Sequence, residues 1–144
     1  MKKLLNLSFF YAILAMVGGV FYREFTKLLG FSGRTTLAFV HVHLLALGTL
    51  LFLILALFAR GSHLAEQKRF RTFCALYNVA LPLMVLMLVV RGVTQALQTP
   101  LSPGIHAAIS GVAGISHILL AVSLFLMFSA LKKSDVFGKQ RNQP

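Results

Sequence analysis

Acidic side chains are nearly missing from this sequence: three of its 144 residues are Asp or Glu, against fourteen Lys or Arg. No paired carboxylates are available for general acid–base work, and neither a Ser-His-Asp set nor a glycine-rich phosphate loop occurs, so hydrolase and nucleotide chemistry have no support. Cysteine is scarcer still. The single Cys74 has no partner for an internal disulfide and reads as a packed thiol near the cytoplasmic end of an apolar run. Charge of either sign is absent over long stretches, with 19 uncharged residues between Lys3 and Arg23, 25 between Arg34 and Arg60, 19 between Arg71 and Arg91 and 40 between Arg91 and Lys132. Each run exceeds the ~18 mainly apolar residues that mark a bilayer-crossing helix, which excludes a soluble fold.

What is present fits that exclusion. Apolar residues make up 58% of the chain, where soluble domains average about 45–50%. A formal charge of +11 would suggest nucleic acid in a soluble protein, but Lys and Arg sit at the ends of the apolar runs and form no stripe with exposed aromatics on which bases could stack. The charge reads instead as an orientation signal. With four spans, the N-terminus (Lys2, Lys3), the middle loop (Arg60, Lys68, Arg69, Arg71) and the C-terminus (Lys132, Lys133, Lys139, Arg141) hold ten cations, and the other two loops hold four. Cytoplasmic segments accumulate Lys and Arg, so both termini are expected inside, in the plasma membrane. The start resembles a secretory signal, but its apolar stretch outruns the ~7–15 residues of a signal core and no Ala-x-Ala site closes it. Ser8, Tyr11, Ala15, Gly18 and Tyr22 recur at three- and four-residue steps, a small-and-polar stripe suited to close helix packing, so a retained first span is expected.

The spacing predicts helices over about Leu4 to Leu29, Thr35 to Ala59, Phe70 to Gln95 and Ile105 to Leu131. Gly30 and Gly33 end the first, Arg60-Gly61-Ser62 ends the second, and Pro100 and Pro103 divide the longest uncharged run. Pro82 lies inside a span, where neighbouring groups must satisfy the carbonyl it frees. Short connections imply an all-α, up-down four-helix membrane bundle, one domain over residues 1–131 with a short basic cytoplasmic tail over 132–144.

Four of the five histidines fall on helices 2 and 4. His106 and His117 are eleven residues apart, which rotates them by only about 20° and separates them by about 16 Å along one face, shared with Ser110, Ala113, Gly114 and Ala121. His41 and His43 are about 200° apart and cannot both meet one metal from a regular helix. Imidazoles at membrane depth either bridge helices by hydrogen bonds or hold a cofactor. Zinc or copper would want three or four converging ligands, which this spacing opposes, whereas haem iron takes one or two axial imidazoles from facing helices. His43 lies ~14 Å and His41 ~10 Å below the start of helix 2, against ~21 Å for His117 on helix 4, so His43 is the better match in depth. His63, beside Glu66, reads as a solvated loop residue. At the outer end of helix 1, Tyr22, Arg23, Glu24 and Lys27 cluster, and Arg91, followed by Gly92 and Gln95, approaches the same side from helix 3. An Arg91–Glu24 ion pair would keep that arginine near membrane depth; alternatively Arg23 or Arg91 binds a haem propionate, or simply snorkels to the interface.

The segments Val20–Lys27 (VFYREFTK), His41–Gly48 (HVHLLALG), Tyr77-Asn78, Arg91–Gln95 (RGVTQ) and Ser110–Leu120 (SGVAGISHILL) resemble a family of small bacterial four-helix membrane proteins grouped as a domain of unknown function. That resemblance implies the fold and no particular activity. A second one concerns Arg34–Gly48, which is similar to the second helix of the catalytic subunit of haem–copper oxidases and nitric-oxide reductases, where a helix entered through Arg and Thr carries a ligand of the low-spin haem. It implies His41 or His43 as an axial ligand with His117 as the helix-4 counterpart. The copper-site histidines of that superfamily have no match here, so oxygen and nitric-oxide reduction are not implied. The expectation is a membrane haem b protein for electron transfer, haem handling or gas sensing, with a membrane redox partner or a second copy as its companion in the bilayer. A structural or accessory subunit, whose histidines only bridge helices, is the alternative. A metal transporter is disfavoured, since only one span has an internal proline and no inverted repeat occurs.

Overall fold

A computed structural model describes residues 1–134 and Val136. Four long helices follow one another: α1 (Lys2–Leu28), α2 (Ala38–Phe58), α3 (Lys68–Ala96) and α4 (Pro103–Lys133). All four are long and apolar enough to cross a membrane. Their ends lie within a few residues of the expected ones. Of the expected basic tail, Lys132 and Lys133 complete α4, while Lys139 and Arg141 lie outside the described residues.

The breaks have the anticipated causes. Gly30 follows α1 at φ +61°, the left-handed position that a glycine takes without steric cost, and its amide bonds back to the Lys27 carbonyl. Gly61 takes the same left-handed conformation after α2, at φ +75°. Ser102 caps α4 by accepting from the Ile105 amide, with Pro103 in the first turn, where its missing N–H costs nothing. Pro82 sits within α3, which runs on through it.

In packing, α1 lies along α2, the start of α2 lies on α3, and α4 leans along α3 with no comparable seating on α1 or α2. The small-and-polar stripe of α1 is the α1–α2 contact face. A Cβ on Gly18 would stand 2.9 Å from Val40, and one on Gly48 would stand 2.6 Å from the Cβ of Tyr11, so the two glycines let the helices approach closely. Tyr11 stacks on Phe52 with centroids 5.7 Å apart, and Phe52 meets Tyr77 edge-on, which builds an aromatic core toward the basic end of the bundle. Many large apolar side chains face outward, among them Phe9, Val20, Ile118 and Phe125, as a lipid-facing surface requires.

One departure from the expected regular helices occurs in α2, where residues Leu44–Leu50 wind as a π-helix. Such widened turns leave carbonyls poorly matched to the ladder. Two of them gain partners from neighbouring helices: Ser8 donates to the Thr49 carbonyl and Tyr77 donates to the Leu47 carbonyl, each at 2.8 Å.

Candidate functional site

The start of α2 is bolted to α3 by two threonines. The Thr35 hydroxyl donates to the Gly92 carbonyl at 2.7 Å, and the Thr36 hydroxyl donates to the Leu88 carbonyl at 2.8 Å. The Thr36 amide donates to Gln95 Oε1, also at 2.8 Å. Gly92 makes the approach possible, because a Cβ there would lie 2.5 Å from the backbone nitrogen of Leu37. The Arg-Thr-Thr and Arg-Gly-Val-Thr-Gln segments are therefore two halves of one joint.

This joint fixes the level of the histidines. Counting down from Thr36–Leu88, or back from Leu47–Tyr77, places His43 opposite Leu81 of α3. On the other side of α3, Arg91 donates to Ser110 at 2.7 Å and Arg69 donates to Ser129. Counting from these two pairs places His117 between the levels of Leu81 and Met84. The two imidazoles thus lie within about 5 Å of one another in depth. His117 faces a space, a groove of about 160 Å³, lined by Thr36 just before α2, Met84, Met87 and Arg91 of α3 and Ala113 of α4, and His43 is not among its lining residues. His43 follows Thr36 by seven residues, farther down α2.

Their hydrogen bonds are matched as well. Nδ1 of His43 donates to the Phe39 carbonyl at 2.8 Å, and Nδ1 of His117 donates to the Ala113 carbonyl at 2.7 Å, each four residues back in its own helix. A carbonyl can only accept, so the hydrogen is on Nδ1, and in the neutral ring the lone pair is then on Nε2. His41 is placed otherwise. It packs against Gly19 of α1, where an added methyl would lie 3.6 Å from the His41 Cβ, and its buried Nδ1 has no hydrogen-bond partner. The expected divergence of His41 and His43 is what the helix shows.

The remaining sequence-predicted residues divide. Arg91 reaches the groove, while His106, exposed on the first turns of α4, lines a neighbouring recess with it. Arg23 does not come near: its exposed side chain pairs with Glu24 at 3.8 Å. The expected Arg91–Glu24 ion pair is not formed, because Glu24 is on α1, which packs on α2, whereas Arg91 turns toward α4. His63 is an exposed loop residue with Nδ1 3.2 Å from Glu66. Among the described residues no group of three or more His, Cys, Asp or Glu is placed to hold a metal ion. Sequence reasoning does not find Thr35, Thr36 and Gln95 as positioning residues; the repeated hydroxyls at a helix start are the one available signal.

By fold the chain is an all-helical protein with four membrane-type spans, the pattern of a multi-pass membrane protein. It matches the model of a family described as a protein of unknown function (DUF2871) over residues 1–134, and it belongs to that family. No curated protein and no solved structure matches it, and the resemblance of α2 to haem–copper oxidases is not shown.

Proposed function

We propose that this is an integral plasma-membrane haem b protein that carries electrons, with its iron held between His43 and His117 and both termini in the cytoplasm. The observation that carries the reading is the matched pair of imidazoles, level in depth, each with Nδ1 committed to a backbone carbonyl of its own helix. Ligating histidines are held in this way, since the second nitrogen's hydrogen bond fixes ring and tautomer. Haem would supply a one-electron redox centre, and with His43 and His117 both holding it no place would be left for a gas, which favours electron transfer over gas binding. The ten-to-four distribution of Lys and Arg supports the orientation.

The residues fit the group in chemistry, and the space sets a condition. Ligand sites generally offer about 300–1,000 Å³, more than the groove has. Seating a macrocycle therefore requires α4 to draw back from α2 and Met87 to repack. The main packing of α4 is on α3 rather than on α2, and an unbranched methionine adapts its shape. The alternative, an accessory subunit with bridging histidines, is less well supported, since the Nδ1 bonds of His43 and His117 stay within their own helices while Ser8, Tyr11, Thr35, Thr36 and Tyr77 make the interhelical ones.

Protein purified in mild detergent from haem-sufficient cells should be red, with a Soret band. A colourless preparation that also takes up no added haemin would contradict the proposal and leave the accessory-subunit reading in its place.

A further inference from the structure

Between the end of α3 and the start of α4 lies an open recess of about 290 Å³, to which Arg91, Gln95 and Gln98 contribute from one side and His106 from the other. It holds no Asp or Glu. Arg91 offers five N–H donors, and the hydrogen bond it makes is to the neutral Ser110 hydroxyl. A guanidinium near membrane depth without a carboxylate is costly, and an arriving anion would relieve that cost. Gln95 spends its carbonyl oxygen on the Thr36 amide, so its amide nitrogen remains as a donor.

Gln98 adds a separate indication. It is the one described residue other than glycine with a positive φ, at 52°, directly after α3, where the chain closes through Gln98 N to the Gln95 carbonyl and Thr99 N to the Thr94 carbonyl. Glycine is the residue suited to that position. A glutamine there keeps an amide at the recess at the expense of backbone strain, the kind of local conflict that gathers at binding sites.

We propose that this recess is a carboxylate-binding site, with Arg91 as the main contact and Gln95, Gln98 and His106 as the donors around it. The guanidinium fork matches a carboxylate in two parallel bonds. The carboxylate belongs either to a free organic acid from the aqueous phase or to the propionates of a porphyrin in the adjoining groove, which Arg91 also lines. Only the second source rests on the haem reading.

The test uses the full-length protein in uncharged detergent, prepared without haem. Fluorine NMR follows para-fluorobenzoate, and fluorescence follows metal-free protoporphyrin IX beside its dimethyl ester, which keeps the ring and loses both charges. Neither porphyrin has an iron, so axial ligation plays no part in the outcome. Saturable binding competed by acetate but not by acetamide, and weakened about tenfold or more in Arg91→Gln, is the expected result. Ser110→Ala keeps the charge and should bind within about threefold of the parent. Arg91→Lys, which keeps the charge without the fork, takes the place of Arg91→Gln if that variant does not fold, and should also bind more weakly. Displacement of para-fluorobenzoate by protoporphyrin IX and not by the diester assigns the site to propionates; binding that the porphyrin leaves untouched assigns it to a soluble acid. Failure of both probes to depend on residue 91 overturns the proposal, whatever haemin does at His43 and His117.

Discussion

Replacing Gly92 with Ala perturbs the joint that levels the two histidines. The new methyl would stand 2.5 Å from the Leu37 amide nitrogen, 2.6 Å from the Leu37 Cγ and 3.0 Å from the Thr35 hydroxyl. A backbone nitrogen cannot rotate away, so the start of α2 must shift as a body. Overpacking of this kind costs about 1–3 kcal/mol, and loss of the Thr35 bond to the Gly92 carbonyl adds about 1 kcal/mol. Removing a glycine from a helix returns about 1 kcal/mol. The net expectation is a loss of about 1–3 kcal/mol. Gly111→Ala is the control, because nothing lies within 4 Å of its added methyl, and it should gain about 0.5–1 kcal/mol. Unfolding in mixed micelles of rising SDS fraction, followed by circular dichroism, measures both. Equal stabilities for the two variants would refute the claim that α2 is seated against Gly92.

Gly48→Ala should likewise destabilise, by more than any change at Gly111, since its methyl would meet the Cβ of Tyr11 at 2.6 Å; the same SDS titration reads it. Tyr11→Phe removes the 2.8 Å hydrogen bond to Asn78 and keeps the ring stacked on Phe52, so it should lower stability by only about 0.6–1.7 kcal/mol. Reporter fusions after Lys27 and after Pro100 should both report the outer side, and a cytoplasmic signal from either would overturn the orientation.

The spans were legible because charge is excluded from a bilayer core and the uncharged runs are long. The α1 stripe was legible for a related reason: three- and four-residue steps keep small residues on one face, and Ser8, Tyr11, Ala15 and Gly18 do lie against α2 or in the core. The divergence of His41 from His43 followed from helix geometry alone. The π-helix in LLALGTL was not legible, because its extra residue is held by Ser8 and Tyr77, which are 41 and 30 residues away from the carbonyls they bond. The Arg91–Glu24 pairing failed for want of the same knowledge. Opposite charges at one end of a bundle say nothing about which helices are neighbours, and Arg91 found Ser110 on α4 instead. The threonine joint was hidden likewise, its donors and acceptors being more than fifty residues apart.

Ligation of one iron by His43 and His117 is tested most directly by titrating haemin into the purified apoprotein and recording the absorbance and electron paramagnetic resonance spectra of the parent, His43→Ala, His117→Ala, His41→Ala and His63→Ala. The parent should give a low-spin, six-coordinate spectrum. His43→Ala and His117→Ala should each lose haem or turn high-spin, with external imidazole restoring the low-spin form, while His63→Ala stays like the parent and His41→Ala, packed against Gly19, changes stability without changing spin state. Low-spin haem retained in both His43→Ala and His117→Ala would contradict the assignment.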